Sequence, residues 1–228
     1  MTQKEETMLE DYLPFFAELS ETDKEQIRSH TRLMHAEKGE MIHKGNEDCL
    51  GFLIVKKGQF RSYIISEEGK EITVYRLFER DMCLFAASCI FRNIDFDIWM
   101  EAKEESDYWV IDPGVYGKLM ETSLPVMKYT NDLMASRFSD VMWTMEQILS
   151  KSMDKRLAAF LMEEAENEGA EEITLTHEMA ARELGTAREV ISRMMKYFQQ
   201  EGFVAASRGK VRILDKNALY ELAEGSLR

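Results

Sequence analysis

Residues 176–200 read THEMAARELGTAREVISRMMKYFQQ, and the fold assignment turns on them. Apolar positions recur there at helical spacing, stop at Gly185, and resume after Thr186. Ala180, Ala181 and Leu184 share the inner face of a first helix, and Ile191 and Met194 that of a second. Gly185 falls where a sharp turn between the two needs positive φ, which costs glycine little. Thr186 is the expected N-cap of the second helix. The outline is a helix-turn-helix. A surface helical hairpin without a ligand shares this spacing, and the charge pattern weighs against it.

Arg188, Glu189, Ser192, Arg193 and Lys196 lie on the second helix, away from Ile191 and Met194. In a major groove an arginine donates bidentately to guanine O6 and N7, and a glutamate accepts from cytosine N4. Arg188, Glu189 and Arg193 are therefore the candidate base readers. Thr186, Ser192 and Lys196, with Arg208 and Lys210 downstream, suit phosphate or sugar, which sets register without reading sequence. Residues 202–207 and 211–214 read as two short strands joined by Arg208, Gly209 and Lys210, a wing behind the recognition helix. Between positions 186 and 216, seven Lys or Arg against three Asp or Glu leave a local balance of +4. The whole chain is −13, so the remainder carries −17. That contrast is an electrostatic footprint for DNA on an acidic body.

The run from Thr186 through Arg188, Glu189 and Arg193, followed by Lys196, Glu201, Gly202 and a small wing, resembles the DNA-binding end of the CRP/FNR family. This is the group of the cyclic-AMP receptor protein and the fumarate-nitrate regulator. The resemblance extends over nearly the whole chain and implies a dimeric, sequence-specific transcription regulator. Arg188, Glu189 and Arg193 match the family's Arg-Glu-x-x-x-Arg, which implies half-sites resembling TGTGA. Palindromic duplex DNA, a second copy of the chain and RNA polymerase are the implied partners.

At 228 residues, 45% hydrophobic and 31% charged, the chain suits two packed domains. No apolar run approaches the ~18 residues of a membrane helix, and the polar, acidic start is unlike a signal peptide; a cytoplasmic location is expected. Three cysteines do not make a disulfide framework. Residues 13–31 have helical spacing, with Ser20 or Thr22 as a cap. From Leu33 to about Ile111, short apolar alternations punctuated by Gly39, Gly45, Gly51, Gly58 and Gly69 predict an antiparallel roll with no intervening helix. The clearest strands are 52–55, 60–65 and 72–77.

This half is similar to the family's cyclic-nucleotide-binding roll, but it departs where the nucleotide would sit. Nucleotide-binding members cradle the cyclic phosphate with a Gly-Glu-Leu-Gly segment and an Arg-Ser pair. Here residues 81–91 lack glycine, and Ile94, Asp95, Phe96 and Asp97 stand at the Arg-Ser position. Acidic side chains repel an anion, so cyclic AMP is not the expected ligand. Cys83 and Cys89, with Cys49 further back, suit a redox pair or a soft-metal site, or all three are small buried apolar residues, the reading favoured here. Four scattered histidines show no metal-ligand spacing. No cysteine precedes Cys49, so the amino-terminal cluster of the iron–sulfur branch is absent. Sixteen methionines leave haem ligation open without pointing to it. Phe85, Phe91, Phe96, Trp99 and Trp109 suit an apolar effector or, more simply, the core of the roll.

A short helix over 113–120 and a longer one over 125–149 follow. Met127, Asn131, Met134, Phe138, Val141, Met145 and Ile148 alternate steps of four and three, the seam of a coiled coil. One polar Asn131 in that seam would fix register. Some of the stripe can pack on the protein's own roll. A hinge near Ser150 and Ser152, a helix over 153–167 ended by Gly169, a strand over 172–175 and a terminal helix over 216–224 complete the reading.

The predicted class is α+β, with an effector-sensing roll over 1–124, a dimerisation helix over 125–150 and a winged helix-turn-helix over 151–228. The function this defines is DNA-binding transcription regulation controlled by a small-molecule or redox effector. The alternative is a metabolite-binding or protein-interaction module whose winged helix touches protein, supported by the net charge of −13. An enzyme is not expected, because phosphate loops, nucleophile elbows and paired metal ligands are all missing from the sequence.

Overall fold

The computed structural model describes residues 8–45, 49–90 and 97–226. The chain divides into two compact units, Met1–Ile64 with Val74–Asp140, and Ile65–Thr73 with Val141–Arg228.

Strand β3 (Phe52–Lys57) shows how the first unit is built. Its Phe52-Leu53-Ile54-Val55 run is wholly buried, because both faces of the strand are covered. Phe52 and Ile54 join a cluster with Tyr116, Leu119 and Val126, whereas Leu53 and Val55 join one with Phe60, Tyr75 and Leu77. Alternate side chains thus feed two cores, which explains an unbroken apolar run instead of an alternating one. Around it stand β1 (Thr31–Ala36), β2 (Met41–Lys44), β4 (Phe60–Ile65), β5 (Glu71–Leu77), β6 (Met82–Cys83), β7 (Trp99–Ala102) and β8 (Ser106–Ile111). They form two four-stranded sheets, ordered β1-β8-β3-β6 and β2-β7-β4-β5. The first is antiparallel throughout, and in the second β7 runs antiparallel to both β2 and β4.

Two expectations change here. The helix predicted over 13–31 is two 3₁₀ segments, Leu9–Tyr12 and Phe16–Glu18, followed by α1 (Glu21–Ser29). Pro14 disfavours helical backbone at Leu13, and Thr31 is already paired with Ile111 in β1. Ser20 caps α1 by accepting from the Asp23 amide at 3.2 Å. The strands are also interrupted, by a 3₁₀ segment at Phe85–Ile90.

Helix α2 (Pro113–Thr122) opens with Pro113 in its first turn, and the Asp112 carboxylate accepts from the Gly114 and Val115 amides. Helix α3 (Leu124–Ser150) has 27 residues, a length of about 40 Å at 1.5 Å per residue. Within the first unit it turns Val126, Thr130 and Arg137 inward. The Arg137 guanidinium donates to Asp140 at 2.9 Å and to the Met82 carbonyl at 3.1 Å, which offsets much of its desolvation.

The second unit holds α4 (Met153–Glu168), β9 (Glu172–Ile173), α5 (His177–Leu184), α6 (Arg188–Gln200), β10 (Val204–Ser207), β11 (Lys210–Ile213) and α7 (Lys216–Leu222). Its core gathers Leu157 and Leu161, Ala180 and Ile191, Met195 and Phe198, Val204, Val211 and Leu219. The three strands make a small sheet, ordered β10-β11-β9.

Candidate nucleic-acid interface

Helix α5 is capped at its start by Thr176, whose hydroxyl accepts from the Met179 amide at 3.1 Å. It ends at Gly185, which takes φ +65° and ψ +40°. Arg156 of α4 donates to the Leu184 carbonyl at 2.6 Å, so a cation sits on an otherwise unfilled carbonyl of the last turn. Helix α6 begins at Arg188, with extended Ala187 at the N-cap position and no side-chain cap. Thr186 therefore does not cap it as expected; its amide instead donates to the Ala181 carbonyl and completes the turn.

The buried face of α6 is Ile191, Met195 and Phe198. Met194, assigned to that face from the sequence, is only half-buried. The difference is one residue of helical phase: steps of four and three from Ile191 lead to Met195 and Phe198, and the Phe198 ring packs 5.8 Å from that of Phe203. Phase also fixes the opposite stripe. Arg188, Glu189, Ser192, Arg193 and Lys196 are all exposed, and among the described residues their side chains make no ion pair or hydrogen bond. Such a row presents three cations, one carboxylate and one hydroxyl to solvent in a single direction, as a groove-reading helix requires.

The wing pairs Val204 with Ile213 and Ser207 with Lys210. Arg208 at its tip is exposed. Lys210 is held by Glu172 at 2.7 Å, and Arg212 by the other oxygen of the same carboxylate at 2.8 Å. These two cations hold the Glu172 carboxyl below its usual range. The sequence reading missed both Arg212 and Glu172. Their meeting depends on β9 pairing with β11, where Arg212 faces Glu172, and no local pattern announces a contact 40 residues apart.

On α3, Met127, Asn131, Phe138, Val141, Met145 and Ile148 are exposed, and Phe138 is 67% so. Met134 differs, being half-buried against the core of the first unit. Met142 and Leu149, which the sequence reading left out, widen the apolar stripe.

The cysteines divide. Cys83 is buried, 3.4 Å from the Tyr75 hydroxyl, and burial pushes its thiol up. Cys49 and Cys89 are exposed and joined in a disulfide. The favoured reading of all three as small buried residues therefore holds for Cys83 alone, and a disulfide exists where no disulfide framework was expected. The cysteines are 40 positions apart, so only the packing of the Phe85–Ile90 segment beside β3 makes the pair visible. Phe85 and Trp109 are buried in the roll and Trp99 is half-buried. Phe91 and residues 94–96, including Asp95, lie outside the described residues, and Asp97, the other acidic residue that argues against cyclic AMP, is exposed. Among the described residues no group of three His, Cys, Asp or Glu side chains is placed to hold a metal. No described helix is long and apolar enough to cross a membrane.

The antiparallel roll and the winged helix-turn-helix define a class of protein, a transcription regulator that couples a sensor domain to a DNA-binding domain. Residues 33–123 match the cyclic nucleotide-binding domain, and residues 155–222 match the Crp-like helix-turn-helix domain. The crystal structure of a protein from Eubacterium rectale assigned to the CRP/FNR family of transcriptional regulators superposes with a TM-score of 0.92. It is 51% identical, over 94% of this chain and 99% of that one. The fumarate and nitrate reduction regulatory protein of Vibrio cholerae is 25% identical over 92% of this chain and 86% of its own length. The transcriptional regulator SdrP of Thermus thermophilus is 31% identical over 85 residues, 35% of this chain and 42% of that protein. The chain belongs to the CRP/FNR family of transcription regulators.

Proposed function

We propose that this regulator acts as a homodimer on palindromic DNA, with Arg188, Glu189 and Arg193 on base edges. The observation that carries the reading is the outward row of α6, whose charged side chains are exposed and, among the described residues, have no partner. Thr186, Ser192, Lys196, Arg208 and Lys210 contact phosphate or sugar and hold that helix in register. The match to Arg-Glu-x-x-x-Arg favours half-sites resembling TGTGA. Two such helices related by a twofold axis read half-sites about 34 Å apart, and the exposed apolar stripe of α3 supplies the seam. Residues 1–124 sense, 125–150 pair the subunits, and 151–228 read DNA. A signal on the roll that favours one seam arrangement shifts the population of DNA-competent dimers. Cyclic AMP is not that signal in this reading; a small apolar molecule or a redox input is. RNA polymerase is the downstream partner.

Selection of genomic fragments on the purified protein tests this. The expected result is a twofold-symmetric motif whose affinity falls steeply with salt, the mark of counterion release. An enriched sequence without symmetry, or binding insensitive to salt, overturns it.

A further inference from the structure

Around Cys49 and Cys89 the backbone is organised to present one sulfur to the other. The Leu50 and Gly51 amides both donate to the Ala86 carbonyl, at 2.9 and 3.0 Å, and so lash the chain just after Cys49 to the segment carrying Cys89. Gly51 takes φ +124°, and a Cβ there would stand 2.5 Å from the Ile111 carbonyl oxygen, so this strand entry has little room to move. The two Cα atoms lie 5.8 Å apart, inside the range a disulfide spans without backbone movement. Because these hydrogen bonds and contacts are independent of the sulfurs, two thiols would remain adjacent after reduction. Both cysteines are exposed and open to a reagent, while Cys83 is buried beside Tyr75 and does not compete.

The chain on either side of the pair bears on helices of the first unit. Three residues beyond Cys49, the Phe52 ring stacks on Tyr116 of α2 with centroids 4.0 Å apart and an interplanar angle of 7°. The Tyr116 hydroxyl is 2.8 Å from that of Thr130 on α3. One residue beyond Cys89, Ile90 abuts α2 so closely that a Cβ on Gly117 would meet it at 3.2 Å. The tether thus joins two pieces of chain that both bear on α2, and one of them reaches α3 through a ring stack and a hydroxyl pair.

We propose that Cys49 and Cys89 form a reversible dithiol–disulfide site, oxidised by low-molecular-weight disulfides, whose state alters operator affinity. This coupling rests on the DNA-regulator reading above. In the forward step the Cys49 thiolate attacks one sulfur of glutathione disulfide and expels one glutathione thiolate, leaving a mixed disulfide. The Cys89 thiolate then attacks the Cys49 sulfur and expels the second. Two protein thiols lose two protons and two electrons, and one glutathione disulfide becomes two glutathiones. The closed bond adds a covalent tie between the Cys89 end of the Phe85–Ile90 segment and the entry of β3, and in the open form only the Ala86 hydrogen bonds and packing hold that end beside α2.

Full-length protein is equilibrated in glutathione buffers from reducing to oxidising, alkylated and mapped by mass spectrometry. A Cys49–Cys89 link that forms and opens within that range is expected, with Cys83 alkylated only after unfolding and exchange at the Leu50 and Gly51 amides slower in the linked form. In parallel, operator affinity should differ by roughly fivefold or more between the two states and lose that dependence in Cys49→Ser. A link that never forms, never opens, or recruits Cys83 overturns the site. A smaller difference in affinity, or one that persists in Cys49→Ser, overturns the coupling. Loss of duplex binding in every form, Cys49→Ser included, overturns the regulator reading and the coupling with it, while the thiol map still decides the site because it is read without DNA.

Discussion

At Arg193 a substitution separates two kinds of DNA contact. Arg193→Ala should weaken the cognate site by about 1–3 kcal/mol and relax preference at one base pair, whereas Lys196→Ala should weaken all duplexes alike and reduce the salt slope by about one. Titrations of both variants against cognate and mutated sites check this; identical behaviour of the two would remove the division of roles. Glu172 tests the wing from the other side, because in the proposed complex its carboxylate would compete with DNA phosphate for Lys210 and Arg212, the two cations it holds. Glu172→Gln should raise affinity for any duplex and steepen its salt dependence. The same contact has a pH signature. The Glu172 carboxyl is lowered in the folded state, so its stabilising effect is present above the ordinary carboxylate range of about 4.3. It is lost as pH falls through the lowered folded value. The difference in thermal midpoint between wild type and Glu172→Gln should therefore shrink on acidification, as scanning at several pH values would show.

At the scale of elements, the turn at Gly185 tolerates a side chain poorly. Its φ of +65° lies in the left-handed region, so Gly185→Ala should cost about 1–2 kcal/mol. Ile191→Ala, which empties a fully buried site, should cost about 2–5 kcal/mol; denaturant unfolding measures both. These elements were legible beforehand because their signals are local: a glycine between two periodic runs, a wing of apolar residues around Gly209, and the run at 60–65 that became β4. What escaped was set by contacts distant in sequence. The phase of α6, which buries Met195 in place of Met194, depends on the core it meets. The Phe85–Ile90 segment has no helical periodicity to announce it, and Pro14 broke the entry helix although the apolar spacing ran straight through. Among the site residues, the exposed row of α6 followed from spacing alone. The Glu172 clamp needed the pairing of β9 with β11, and the Cys49–Cys89 bond needed the packing of the Phe85–Ile90 segment beside β3.

For the whole molecule the deciding quantity is the unburied apolar surface of α3. Met127, Phe138, Val141, Met142, Met145, Ile148 and Leu149 are all exposed along one helix, and a row of exposed apolar side chains marks an interaction surface. In the proposed homodimer a second copy offering the same stripe would cover it with closed twofold symmetry, and the heptad-like spacing suits two parallel helices. Phe138 is 67% exposed on a single chain, so Phe138→Glu places like charges opposite each other in the seam while disturbing little within either subunit. The variant should keep its circular dichroism spectrum, sediment as a monomer at micromolar concentration, and lose about 100-fold or more in affinity for the palindrome, since one recognition helix no longer gains from its neighbour. Affinity for a single half-site should change little, because that contact belongs to α6. A variant that remains dimeric would place the seam elsewhere on the chain, and a monomer that holds the palindrome as tightly as wild type would mean that one winged helix suffices to read it.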